Sequence, residues 1–93
     1  MIRLNAFFEV KDSASVEEVK KLGTELVNES RNDNGNISYD LFLSTTRPLM
    51  MFCETWKDEE VLKAHMASAH FTRLVPQIEV LTKNGLKLEK FEF

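Results

Sequence analysis

Two histidines, His65 and His70, stand five residues apart in this 93-residue chain, the second followed directly by Phe71. Imidazole changes protonation near neutral pH, so both are candidates for moving a proton or binding a polar ligand. His65 shares a helical stripe with Val61, Leu62, Met66 and Ala69, which aims it at the core side of a helix. In that place it could act as a base in an apolar cavity. It could equally be a core histidine bonded to a backbone carbonyl. His70 lies beside a helix start, where it could touch a ligand, cap the helix or face solvent. Asn5 could hold a substrate oxygen or bond its neighbours. Tyr39 could donate its hydroxyl to a ligand or simply pack. Trp56 could form a cavity wall or anchor the packing under the helix. Phe7 and Phe71, with Phe52 and Met51, would suit a flat aromatic ligand, or they could be ordinary core. Glu54 shares a strand face with Phe52 and Trp56, so if covered it needs a partner such as Arg3, Arg47 or Arg73. There is no Gly-rich phosphate loop and no Ser–His–Asp order. The two histidines have no evident carboxylate partner, so no metal site is expected.

These residues must be positioned by regular elements. Arg3 to Val10 alternates as a strand, with Leu4, Ala6, Phe8 and Val10 on one face and Arg3, Asn5, Phe7 and Glu9 on the other. Ser15 and Glu18 form a capping-box pattern ahead of a helix that reaches about Arg31. Its apolar stripe is Val16, Val19, Leu22, Gly23, Leu26 and Val27, and Gly23 suggests close helix–sheet packing. Asn32 to Asn36 ends the helix, with Gly35 suited to a left-handed position. Ile37 to Ser44 reads as a second strand. Leu49 to Trp56 reads as a third, across a connection containing Pro48. Asp58 is placed to cap the His65 helix, with Glu59 and Glu60 in its first turn. Ser68 can cap a further helix carrying Phe71, Leu74, Val75, Ile78 and Leu81. Pro76 should kink that helix or restart it. Asn84-Gly85 precedes a last strand, Leu86 to Phe93. The order β-α-β-β-α-(α)-β is that of the α+β ferredoxin-like split βαβ: a four-stranded antiparallel sheet with helices on one face. The other face would be bare, and its aromatics predict pairing with a second copy, sheet to sheet.

Length and composition narrow the partners. One domain, residues 1–93, is expected, with 43% hydrophobic residues and seven Phe. The net charge of −3 and the scattered 12 Lys and Arg argue against nucleic acid. The single cysteine, Cys53, excludes an internal disulfide and suits a small buried hydrophobe. No apolar run approaches membrane-spanning length, and Met1-Ile2-Arg3-Leu4-Asn5 enters a strand at once. A soluble cytoplasmic protein without a membrane role is therefore expected.

The runs Gly35-Asn36-Ile37-Ser38-Tyr39-Asp40 and Glu54-Thr55-Trp56-Lys57-Asp58, followed by Leu62, Ala64-His65, Ser68 and His70-Phe71, resemble the antibiotic biosynthesis monooxygenase domain family. That resemblance spans nearly the whole chain and implies a dimeric α/β barrel with a substrate cleft between sheet and helices in each subunit. The family includes cofactor-independent monooxygenases of quinols and aromatic polyketides, haem-degrading enzymes and an isomerase of a phosphorylated dione. The haem degraders use an Asn on the first strand, with a Trp and a His on later helices. Asn5 matches the first, but the other two positions fall on His65 and Val75, which argues against haem. The resemblance implies a monooxygenase without cofactor acting on a small quinol or phenol. His65 would be the base, Asn5 would assist catalysis, and Tyr39, Trp56, Phe7, Phe71 and His70 would contact the substrate. An isomerase of a small hydroxy-ketone or dione is the alternative, favoured by a cationic residue such as Arg73 or Arg47 in the cleft. A non-catalytic small-molecule-binding dimer is the third reading.

Overall fold

The computed structural model describes all residues, Met1–Phe93. The strands are β1 (Ile2–Glu9), β2 (Asn36–Leu43), β3 (Leu49–Trp56) and β4 (Lys87–Glu92). The helices are α1 (Val16–Ser30), α2 (Glu59–Met66) and α3 (Ala69–Glu79). They form one antiparallel sheet of order β2-β3-β1-β4, in which β1 and β3 are central. This is the expected ferredoxin-like α+β fold.

Alternation along β1 sorts its side chains. Ile2, Leu4, Ala6 and Phe8 are buried beneath the helices, while Arg3, Asn5, Phe7 and Glu9 point to the open face. The register places Ala6 opposite Phe52, and Phe7 opposite Met51. The core is completed from α1 by Val19, Leu22, Leu26 and Val27, and from α3 by Leu74, Val75 and Ile78. Gly23 lets α1 settle on the sheet, because a Cβ there would stand 2.8 Å from the Leu41 side chain and 3.3 Å from the Phe52 ring.

Local chemistry fixes the helix ends. Asp58 accepts a hydrogen bond from the Val61 N–H at 3.0 Å, and Ser68 accepts one from the Phe71 N–H. Gly35 adopts φ +80° at the α1–β2 turn, where any side chain would also collide with Val61. One expectation changes and another narrows. The capping box at Ser15 does not form: the Ser15 hydroxyl and N–H both turn to the Asp12 carboxylate, which caps a short 3-10 turn ahead of α1. Of the two alternatives at Pro76, a kink or a restart, the restart is removed: α3 runs through Pro76 as one helix.

Candidate active site

A cavity of about 230 Å3 lies between the sheet and the α2–α3 pair. Leu4, Ala6 and Phe52 form its floor, Phe71 and Val75 close it from α3, and Leu86 and Leu88 flank it. Its polar lining comes from Tyr39, Glu54, His65 and Glu79. At this volume it suits a ligand of one or two rings, smaller than those held by drug-sized pockets.

His65 is held on every side. Its side chain is 1% exposed. The Trp56 indole lies against it with ring centroids 4.5 Å apart, Phe71 meets it edge-on at 5.2 Å, and Tyr39 sits 5.4 Å away. Nδ1 is 2.7 Å from Oδ2 of Asp33, in the turn after α1. An ionised carboxylate can only accept, so the Nδ1 proton is donated to Asp33 and the lone pair of a neutral ring is on Nε2. Nε2 is buried and has no hydrogen-bond partner. Burial holds the His65 pKa below its ordinary value, with the Asp33 hydrogen bond opposing the shift. A neutral imidazole with a fixed tautomer and an unused lone pair is a base ready to accept a proton.

Glu54 lies beside that lone pair. Its Oε1 is 3.9 Å from His65 Nε2 and accepts the Trp56 Nε1–H at 3.0 Å. None of the expected arginines reaches it: Arg3 bonds Asn5 and Thr55, Arg47 bonds Glu9, and Arg73 bonds Glu25 and Glu29. Burial without a counter-charge pushes the Glu54 pKa up to about 7, although the Trp56 and Tyr39 donors pull it down. Burial also raises Tyr39 well above its ordinary value, helped by the negative charge of Glu54.

His70 completes the network from behind. Its Nε2 donates to the same Asp33 oxygen at 2.9 Å. Asp33 is thus the carboxylate that the two histidines lacked in the sequence. The three groups have the two-imidazole, one-carboxylate composition of some transition-metal sites, with donor atoms within 4.8 Å of one another. Both nitrogens are already engaged as hydrogen-bond donors to one oxygen, so a cation there would have to displace both bonds.

The expected residues divide accordingly. His65, Tyr39 and Phe71 meet at the cavity. Trp56 and His70 support His65 rather than line the cavity, Trp56 being fully buried behind the ring. Asn5 and Phe7 do not join the group. The two-residue period of β1 puts them on the open face, where Asn5 accepts from Arg3 and Phe7 packs near Phe42 and Met51. Two residues come in that were not singled out as site residues. Asp33 carried no local signal, since it reads as part of a helix-ending turn and its partners lie 32 and 37 positions downstream. Glu54 did carry one, as a carboxylate sharing a strand face with Phe52 and Trp56.

The sequence model of the antibiotic biosynthesis monooxygenase family matches residues 1–77. A Bacillus subtilis protein, named "Putative monooxygenase YcnE", is 34% identical over 99% of this chain and 97% of its own length. Among solved structures, a conserved protein of unknown function from Bacteroides thetaiotaomicron is 44% identical. It covers 99% of this chain and 96% of its own, with a TM-score of 0.92. An antibiotic biosynthesis monooxygenase structure at 30% identity covers 100% of this chain and 98% of its own, with a TM-score of 0.93. The fold, the length and the sequence agree: this chain belongs to the antibiotic biosynthesis monooxygenase family.

Proposed function

We propose that the protein is a cofactor-independent monooxygenase that oxidises a small quinol or other phenol with dioxygen. The observation that carries this reading is His65: its Nδ1 proton is given to Asp33, and its Nε2 has no partner at the edge of an apolar cavity. His65 takes the proton of the substrate hydroxyl. Asp33 then balances the imidazolium, and the electron-rich phenolate gives an electron to dioxygen. The Phe52, Phe71 and Val75 walls exclude water from the anion. No Lys or Arg lines the cavity. A phosphorylated substrate would lack a counter-charge there, which favours the phenol over the isomerase reading.

Oxygen uptake by metal-stripped protein with a panel of hydroquinones and naphthols tests the activity. Uptake above autoxidation, lost in His65→Ala, is expected. No uptake by the wild type overturns the oxygenase reading. Uptake unchanged by the mutation removes His65 from the chemistry.

The working unit we propose is a homodimer joined through the open sheet faces. Phe42 is more than half exposed there, in one row with Met51 and Phe7 across the central strands, and Phe91 is more than half exposed beside Arg3 on the same face. Light scattering at micromolar concentration should give a dimer, and Phe42→Asp should shift it to monomer. A wild-type monomer sinks this part of the proposal.

A further inference from the structure

We propose that Glu54 is a second catalytic residue, an acid whose O–H donates a hydrogen bond to the substrate oxygen that His65 deprotonates. The inference rests on the phenol-oxidising reading and assigns it a recognition element, a hydroxyl held jointly by His65 and Glu54.

The geometry provides the place. Glu54 Oε1 and His65 Nε2 are 3.9 Å apart and do not hydrogen-bond each other. One oxygen about 2.8 Å from both atoms would see them at roughly a right angle, a separation and an angle that a hydroxyl can serve. The pair therefore leaves a gap that a single oxygen can bridge, with small side-chain shifts as a ligand enters. A buried polar atom without a partner is rare in folded proteins, and it is accounted for here if a ligand oxygen completes it.

The neighbours decide which group is the acid. Oε1 accepts the Trp56 indole N–H through one lone pair, and as the hydroxyl oxygen of a neutral carboxyl it can still donate its own proton across the gap. No cation approaches the carboxyl. The charged or titratable groups around the pair are Asp33 and His70 behind His65, Tyr39 beside Glu54, and Glu79 on the cavity wall. Asp33 is the one bonded to His65, so the positive charge formed by proton transfer belongs on the imidazole. Two titratable groups whose surroundings push them apart in this way take opposite roles, base and acid. In the step, the substrate O–H bond breaks and its proton forms a bond to Nε2. The electron pair stays on the substrate oxygen, where the Glu54 O–H stabilises it. Charge balances as imidazolium and phenolate, and Glu54 keeps its proton.

The test uses 4-nitrophenol, whose phenolate absorbs visibly, with excess protein under nitrogen so that no oxidation occurs. The wild type should bind it and raise the ratio of phenolate to phenol at least tenfold over free solution at pH 6. Glu54→Met, of similar shape without a donor, should lose that gain. Glu54→Gln, which keeps an N–H donor, should recover most of it. Should Glu54→Met fail to fold, the pH profile decides: the wild-type gain should fade as the pH passes 7, and the Glu54→Gln gain should not. Overturning results are the absence of 4-nitrophenol binding, an unchanged gain in Glu54→Met, or a Glu54→Gln protein as poor as Glu54→Met. Phenolate stabilisation without oxygen uptake on any phenol would refute the oxygenase reading and leave the role of Glu54 standing. Oxygen uptake with no dependence on Glu54 would do the reverse.

Discussion

The two faces of the sheet are built from the same strands and have opposite characters. Beneath the helices, the β1 and β3 side chains Leu4, Ala6, Phe52, Glu54 and Trp56 are all buried, and a carboxyl and an imidazole are enclosed among them. On the open face Phe42 and Phe91 are exposed, and Arg3 donates hydrogen bonds to Asn5 and Thr55. The helix-covered face thus buries polar groups with unmet hydrogen-bonding capacity, while the open face exposes apolar groups with unmet burial. Each deficit points to a missing contact of matching kind, a polar ligand on one side and an apolar surface on the other.

The largest separation of the faces should appear in activity. His65→Ala is expected to reduce oxygen uptake about 10²- to 10⁴-fold, the range typical of a lost general base. Asn5→Ala, one strand face away, should leave the rate within about twofold. An Asn5→Ala protein as impaired as His65→Ala would mean that the open face carries chemistry too.

Packing provides the next test. Phe52→Ala removes a ring that touches Phe8 and Tyr39 and lies under Gly23, and should cost about 3–5 kcal/mol in chemical denaturation. Phe7→Ala should cost under about 1 kcal/mol if its face is bare in solution. A cost close to that of Phe52→Ala would show that a second copy covers Phe7. Denaturation at two protein concentrations separates the cases, since only the covered face gives a concentration-dependent midpoint.

These contrasts show what the chain order reveals. The fold is legible because its signals are local and repeated: alternation in Leu4-Ala6-Phe8, the helical stripe of α1, the caps Asp58 and Ser68, and the left-handed Gly35. His65 is legible because its stripe fixes its direction. Phe7 and Asn5 suit the chemistry by residue type, but their odd positions on β1 place them on the face away from the cavity. Asp33 was not legible at all, since its role exists only after α1, α2 and α3 pack together. Glu54 was half legible: its burial followed from its strand face, but its partner proved to be an indole two residues away instead of an arginine.

Acid–base linkage should distinguish the faces through stability. Glu54 has a folded pKa of about 7 against an ordinary 4.5. A raised carboxyl means the folded state binds the proton more tightly. Its contribution is fully present below the unfolded value and is lost as the pH rises through 7, amounting to about 3 kcal/mol by pH 8 at about 1.4 kcal/mol per unit. His65 acts in the other direction. Its pKa is depressed, so its contribution is present above its ordinary 6.5 and is lost as the pH falls through the folded value. Stability should therefore peak on the mildly acidic side of neutral. Glu54→Gln should flatten the alkaline limb in urea titrations from pH 5 to 8. An alkaline limb that survives Glu54→Gln would place its origin elsewhere.

The smallest effect concerns how the site is carried. α2 is only eight residues long, and it presents His65 from its last turn. An isolated helix of that length is marginal, so its start depends on the Asp58 carboxylate accepting the Val61 N–H, with Glu59 and Glu60 adding favourable charge at the amino end. Asp58→Ala should lower global stability by about 1 kcal/mol. The effect on turnover should be smaller than that of His65→Ala but greater than that of any open-face substitution, because fraying of α2 loosens the His65–Asp33 bond that fixes the tautomer. Asp58→Asn, which keeps a capping oxygen, should restore both. If Asp58→Ala lowers stability while oxygen uptake stays unchanged, then Trp56, Phe71 and Asp33 hold the imidazole in place without help from the helix that bears it.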